Sequence, residues 1–294
     1  MKRTKVLVIG STGMLGSAVT AQLLLSDLDI LEASRTKGLL FDAERDSSED
    51  LLLAAGLTSN DYVVNCVGLT KTHINEAHPS TVERAVRLNI LFPISLARAA
   101  EKSGVRIIQV ATDCVFSGED GKYIEPSPHD AHDVYGKSKS MGEVRSANVL
   151  HLRCSIVGPE LDSRKSLFFE WVRTLNQGAI VDGFVDHRWN GLTSEAFGSI
   201  VRGIVEAEAF FSGIQHLVPA DSLAKFELVK MELDLLGRDD VTVQEAITGT
   251  KVDRTLDTEN PAQNELMFKL GGFHVRPTIR EMMEQLPWAE LRVR

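Results

Sequence analysis

Along its first half the chain alternates between short apolar runs and longer stretches in which apolar and polar residues recur at helical spacing. The runs "KVLVIG" (5–10), "DILEAS" (29–34), "DYVVNCVG" (61–68), "VRIIQVAT" (105–112) and "VLHLRCS" (149–155) are short and rich in β-branched residues. Such runs predict strands buried within a sheet. Between them, "SAVTAQLLLS" (17–26) and "TVERAVRLNILFPISLARAAEKSG" (81–104) predict helices, the second closed by Ser103 and Gly104 as a C-cap. Strands alternating with helices imply right-handed crossovers and a parallel sheet with helices on both faces. The expected fold class is α/β, a Rossmann-type doubly wound parallel sheet.

From Gly158 onward the pattern is mixed, with helices expected at 163–177, 195–209, 222–236 and 277–286. Residues 1–157 are read as a nucleotide-binding Rossmann domain. Residues 158–294 are read mainly as a smaller C-terminal substrate-binding cap, with some segments free to return to the sheet. No internal repeat or low-complexity tract is visible.

The net charge of −9, with no Lys/Arg cluster, argues against a nucleic-acid or anionic-membrane surface. Cys66, Cys114 and Cys154 are far apart and form no C-x-x-C, so they read as reduced thiols rather than a disulfide or zinc framework. The apolar run near the start, Val6 to Ile9, is too short for a signal-peptide core, and no run approaches a membrane span. The expected location is cytoplasmic.

The first strand runs directly into "GSTGMLGS", which places Gly10, Gly13 and Gly16 between a strand and an amphipathic helix. A glycine pattern alone is weak, but this context is the one a dinucleotide site requires. Glycines let the backbone approach a pyrophosphate, whose charge meets the helix N-terminus, so Gly10, Thr12, Gly13, Met14, Leu15 and Gly16 are candidate cofactor residues. The second strand ends in Ser34 and Arg35, while Glu32 lies two residues short of its tip. A serine and an arginine can hold a 2′-phosphate that a carboxylate would repel, which favours NADP(H) over NAD(H). The alternative for Arg35 is a solvated surface residue.

Tyr135 and Lys139, in "VYGKSKSMGE", lie four residues apart on one face of a predicted helix. By itself such a pair is an ordinary, partly exposed helix face. Thr112, however, closes the strand run 105–112, and Asn65, Cys66 and Val67 close the run 61–68. Ligands of open α/β sheets sit beyond the carboxyl ends of the strands, so the three segments converge on one edge.

The glycine turn together with Tyr-x-x-x-Lys resembles the extended short-chain dehydrogenases/reductases. The segments "GSTGMLG", "VVNCVGLTKTHINEAHP", "ATDCVFSG", "YIEPSPHDAHDVYGKSKSMGE" and "LRCSIVGP" resemble, in order, those of the dTDP-4-dehydrorhamnose reductases and related nucleotide-sugar 4-ketoreductases. Beyond residue 160 the likeness is looser, best in "FVDHRWNGLTS" and "DRTLDTENPAQ". The resemblance implies a catalytic set of Thr112, Tyr135 and Lys139, with the tyrosine and lysine also at the nicotinamide ribose. It implies NADPH-dependent reduction of the 4-keto group of a nucleotide-activated 4-keto-6-deoxysugar, in polysaccharide biosynthesis. Similar 4,6-dehydratases carry Thr-Asp-Glu where this chain has Thr112, Asp113 and Cys114, so dehydration is disfavoured. The dehydrorhamnose reductases usually carry tyrosine where Cys114 stands, which leaves the sugar open.

A tyrosine hydroxyl, ordinarily near pKa 10, can donate the proton that a reduced ketone needs, and a neighbouring ammonium would stabilise the phenolate. Asn89, Asp113, Cys114, Arg153 and Trp189 are candidate substrate residues, with Ser155 and Asn190 beside them. Each also has a plain structural reading. The loop with His129, Asp130, His132 and Asp133 reads as solvated and polar, and no metal is expected. Two rivals stay open: an NAD(P)-dependent nucleotide-sugar epimerase, and a non-catalytic NADP-binding regulatory subunit like that of methionine adenosyltransferase. A homodimer is compatible with either reading.

Overall fold

In the computed structural model, which describes residues 3–160 and 167–291, the five apolar runs form the central strands of a seven-stranded sheet. These are β1 (Lys5–Ile9), β2 (Asp29–Ser34), β4 (Tyr62–Asn65), β5 (Arg106–Ala111) and β6 (Val149–Arg153), while the two-residue β3 (Leu39–Leu40) adds to the edge at β2. The strand Gly213–His216, from well beyond Gly158, adds to the edge at β6. Every pairing is parallel, and the order is Gly213–His216, β6, β5, β4, β1, β2, β3. The order reverses between β1 and β4, the switch point at which doubly wound sheets bind ligands.

Side-chain alternation along the strands explains why they are apolar throughout. Val6 and Val8 of β1 face one core with Tyr62, Val64 and Ile108, while Leu7 and Ile9 face a second with Val63 and Ile107. Helices α1 (Met14–Leu23) and α7 (Ser194–Glu206) pack together over the first core, and α9 (Pro261–Leu270) packs on α7. On the other face α2 (Ser48–Ala54) packs on α4 (Phe92–Ser103). The long helix expected at 81–104 is divided: α3 (Pro79–Val86) passes through a π-helical turn at Arg87–Leu91 into α4. It ends as expected, on Gly104 in the left-handed region, whose N–H donates to Ala100 O at 2.7 Å.

Helix α1 begins earlier than its apolar pattern suggests because Gly13 of the turn is its N-cap. Leu24 and Leu25 then fall outside it and are exposed. The helix expected at 163–177 is found as α6 (Phe168–Arg173), while 163–166 lie outside the described residues. The later expectations correspond to α7, α8 (Lys225–Leu236) and α10 (Ile279–Glu284). Helix α9 was not expected: three of its residues are buried, which leaves a faint stripe, although Asn260 followed by Pro261 is a start signal. Among the described residues no helix is long and apolar enough to cross a membrane.

One buried charge site lies away from the sheet edge. Glu232 of α8 is fully buried with neither carboxyl oxygen hydrogen bonded, and its neighbour Glu170 of α6 is committed to Arg173 at 2.7 Å. Desolvation, and then the Glu170 carboxylate, push Glu232 well above the usual carboxylate range. A raised folded-state pKa means that stability is complete below the unfolded value and is lost as pH rises through the folded one. Glu232→Gln is therefore expected to raise the unfolding midpoint increasingly from mildly acid to alkaline pH. The gain is about 2–4 °C per kcal/mol relieved, read by thermal melts across that range; an equal shift at every pH would contradict it.

Candidate active site

A cleft of about 560 Å³ follows the carboxyl ends of β1, β2, β4 and β5. At its first end Gly10 adopts φ +82°, and its N–H donates to Ala33 O at 2.8 Å. A Cβ on Gly16 would lie 2.1 Å from Gly10 O, so the first turn of α1 folds onto the loop at a distance no side chain permits. The first turn of α1 carries no acidic residue, and Gly13 makes no side-chain cap. Its N–H groups and helix dipole remain available to an anion, as the binding of a pyrophosphate requires.

At the end of β2, Ser34 Oγ accepts from the N–H groups of Thr36 and Lys37 (3.2 and 2.8 Å), shaping the turn. Arg35 lines the cleft, and among the described residues its guanidinium has no partner. Glu32 pairs with Lys37 at 2.9 Å and is not part of the lining. Ser34 and Arg35 both line the cleft, with the Ser34 hydroxyl also donating to Lys37 O at 3.0 Å within the turn.

The opposite end is built on α5 (Val134–Met141). Its N-terminus is satisfied by Asp133, which accepts from Gly136 N at 2.7 Å, and by Glu76, which accepts from Val134 N at 2.9 Å. Gly136 allows α5 to lie against the carbonyl of Cys114, which a Cβ would approach to 2.2 Å. This contact brings Tyr135 beside the end of β5. Thr112, Asp113, Cys114, Tyr135 and Lys139 all line the cleft. Thr112 Oγ1 donates to Asp113 Oδ1 at 3.1 Å and accepts from Cys114 N at 3.2 Å, and Lys139 Nζ donates to Val110 O at 3.1 Å.

Desolvation pushes the Tyr135 phenol up, and Cys114 adds to this; the main opposing pull comes from Thr112. Lys139 is not among the main influences on the unligated phenol. Desolvation lowers the Lys139 ammonium, with Glu143 the first opposing group. Asp113 is raised, chiefly by desolvation against Arg254. Desolvation also pushes the Cys66 and Cys114 thiols up to about 12, so neither is a thiolate nucleophile.

Several expected site residues lie elsewhere. Asn65 is buried inside the sheet, where its Nδ2 donates to Gln109 Oε1 at 2.9 Å across the β4–β5 ladder; Cys66 and Val67 line the cleft in its place. Asn89 is expected at the substrate but bonds both Leu69 N (2.8 Å) and Leu69 O (3.0 Å), and reaches Ser138 Oγ at 3.0 Å. It ties the loop after β4 to α5. Arg153 is wholly buried and its guanidinium is spent on protein acceptors. Trp189 belongs to the core, and Asn190 holds Leu256 N and O at 2.8 and 2.7 Å.

The cleft also contains residues that were not expected. Phe41, Asp42, Ala43 and Glu44 follow β3, and Arg84 of α3 binds Glu44 at 2.8 Å. The strand-end rule would have found the first four had β3 been legible. Among the described residues no group of three or more His, Cys, Asp or Glu is arranged to hold a metal ion.

The sequence profile of the family described as "RmlD substrate binding domain" matches residues 4–269. The chain belongs to the RmlD family. A dTDP-4-dehydrorhamnose reductase of Mycobacterium tuberculosis is 31% identical over 145 residues, covering 47% of this chain and 44% of that enzyme. The match thus spans less than half the length of that relative. Methionine adenosyltransferase 2 subunit beta of Danio rerio is 26% identical over 244 residues, 76% of this chain and 71% of that one. Among solved structures, the dTDP-4-dehydrorhamnose reductase of Bacillus anthracis in complex with NADP superposes with TM-score 0.78 at 18% identity, over 97% of this RmlD-family chain and 99% of that one. At that identity the superposition establishes the fold, a Rossmann-like sheet.

Proposed function

We propose that this chain is an NADPH-dependent ketoreductase that reduces the 4-keto group of a nucleotide-activated 4-keto-6-deoxysugar. The observation that carries the reading is one cleft with the glycine turn and Arg35 at one end and Thr112, Tyr135 and Lys139 at the other. Family membership, the mycobacterial reductase and the NADP complex of the Bacillus neighbour support it. Gly10, Thr12, Gly13, Met14 and Leu15 would hold the pyrophosphate end, Ser34 and Arg35 the 2′-phosphate, and Cys66 and Val67 the path between. Tyr135 and Lys139 would meet the nicotinamide ribose. The bound cofactor would supply hydride.

The chain's own residues supply the proton and its placement. Desolvation keeps Tyr135 protonated, so its hydroxyl can give a proton to the ketone oxygen. Thr112 donates to the same oxygen and fixes it. Lys139, one turn along α5, stabilises the phenolate left behind. Asp113 and Cys114 follow Thr112, with no glutamate there for acid–base work on neighbouring carbons.

Arg35→Ala is expected to weaken NADPH binding by about 10–100-fold, the loss of a charge-assisted contact worth about 1.5–3 kcal/mol. NADH binding should stay unchanged. Fluorescence titration with both cofactors checks this, and equal losses for the two would contradict it.

A second reading, a non-catalytic NADP-binding subunit, rests on the wider reach of the match to methionine adenosyltransferase 2 subunit beta of Danio rerio. Loss of NADPH absorbance with TDP-, UDP- and GDP-linked 4-keto-6-deoxysugars separates the two. Turnover with one series establishes the reductase, whereas tight NADPH binding with no turnover in any series favours the non-catalytic reading.

A further inference from the structure

Arg153 closes β6, is wholly buried, and has no part in the chemistry proposed above. A guanidinium carries five N–H donors in a rigid fork, and each needs an acceptor once water is excluded. All five are met. Nε donates to Glu143 Oε1 at 3.1 Å, and Nη2 binds Glu143 Oε2 and His129 Nε2, the latter at 2.9 Å. Nη1 reaches His216 Nε2 at 2.6 Å and Glu125 O at 3.4 Å. The guanidinium carbon stands 5.2 Å from the centroid of the Phe116 ring.

Imidazole nitrogens accept only from a neutral ring, so each histidine must carry its proton on Nδ1. Both have a place for it: His129 Nδ1 donates to Ser140 Oγ at 2.7 Å, and His216 Nδ1 to Asp257 O at 2.7 Å. Helix α5 is therefore gripped at Ser140, and just past its end at Glu143, in the turn after Lys139. Glu125 and His129 belong to the loop that feeds Tyr135, and His216 to the strand that returns to the sheet.

We infer that Arg153 is the positioning residue of the Tyr135/Lys139 helix, clamping α5 to β6 and to the strand Gly213–His216 through two neutral histidines. The effect on turnover rests on the ketoreductase reading; the clamp on α5 does not. The charged groups facing His129 are Glu143, Arg153 and Asp130, and those facing His216 are Arg153, Glu125 and Glu143. Protonating either ring removes an acceptor and sets a second cation against the guanidinium. The clamp holds at neutral pH and opens in acid.

The test compares wild type with Arg153→Lys, which keeps the charge but offers three donors from a point. Glu143→Gln, which removes charge from the α5 side, serves if the first variant does not fold. Hydrogen exchange of the 134–143 amides in the free protein is measured beside kcat, KM and NADPH affinity from about pH 4 to pH 8, a window that reaches the lowered His216 near 4. Exchange in that segment should rise by about tenfold, equivalent to about 1.4 kcal/mol of lost local stability. The kcat should fall by about 10²-fold with KM and NADPH affinity little changed, and its acid limb should move. A variant that melts earlier yet keeps wild-type exchange in 134–143 and wild-type kcat overturns the inference. If wild type turns over no sugar, the ketoreductase reading fails by itself, and the exchange measurement still decides the clamp.

Discussion

Tyr135→Phe is expected to lower kcat by about 10²–10⁴-fold, the usual effect of removing a positioned general acid. The change deletes one hydroxyl, and α5 keeps its caps at Asp133 and Glu76, so folding and NADPH affinity should persist. The size of the effect follows from the site's dryness. Tyr135 is held in its acid form by desolvation and lines the cleft with Thr112, so the proton is present at the end of β5. Because the phenol is raised, wild-type reduction should lose activity through this group only in strongly alkaline solution. Single-turnover NADPH absorbance for both proteins reads the step directly. A variant with most of the wild-type rate would place the proton donor elsewhere.

Thr112→Val removes the second donor without changing shape, and kcat should fall by about 10²–10³-fold, as when one donor is taken from an oxyanion site. Thr112 Oγ1 also donates to Asp113 and accepts from Cys114 N at 3.2 Å, so the variant should lose about 1 kcal/mol of stability as well. Thr112→Ser restores the hydroxyl and separates the two effects. It should recover most of kcat, measured at saturating substrate beside a thermal melt. Serine and valine variants that are equally slow would mean that the threonine methyl, rather than its hydroxyl, matters.

Much of the sheet is legible in the amino-acid order because β1, β4, β5 and β6 are covered on both faces and read as apolar runs. The same physics hides β3. It is two residues long with Leu40 exposed, so no pattern marks it, and Phe41 to Glu44 in the cleft are missed with it. The strand Gly213–His216 holds polar Gln215 and His216 at the sheet edge, where the acceptors of Glu125 and Asp257 satisfy them. Its composition argues against a buried strand until those partners are known.

The shared cleft position of Thr112, Tyr135 and Lys139 was readable for a different reason. Strand ends and i,i+4 spacing are local, so Thr112, Tyr135 and Lys139 could be placed together without a structure. Asn65, Asn89 and Arg153 could not. A polar residue at a strand end or within a central helix can face the ligand or a neighbouring element, and its partners come from distant sequence. Gln109, Leu69 and His216 decided those three cases. The π turn that seats Asn89 has no signature in the residue pattern.

The central claim is that this cleft moves a hydride to a sugar ketone while Tyr135 gives the proton. The most direct measurement uses NADPH deuterated at the transferring C4 position with the 4-keto-6-deoxysugar series that is turned over, and locates the label in the product by NMR. The account predicts deuterium on sugar C4 from wild type and almost none from Tyr135→Phe in the same time. NADPH bound tightly with no label in any sugar, or label appearing equally with the variant, would contradict it.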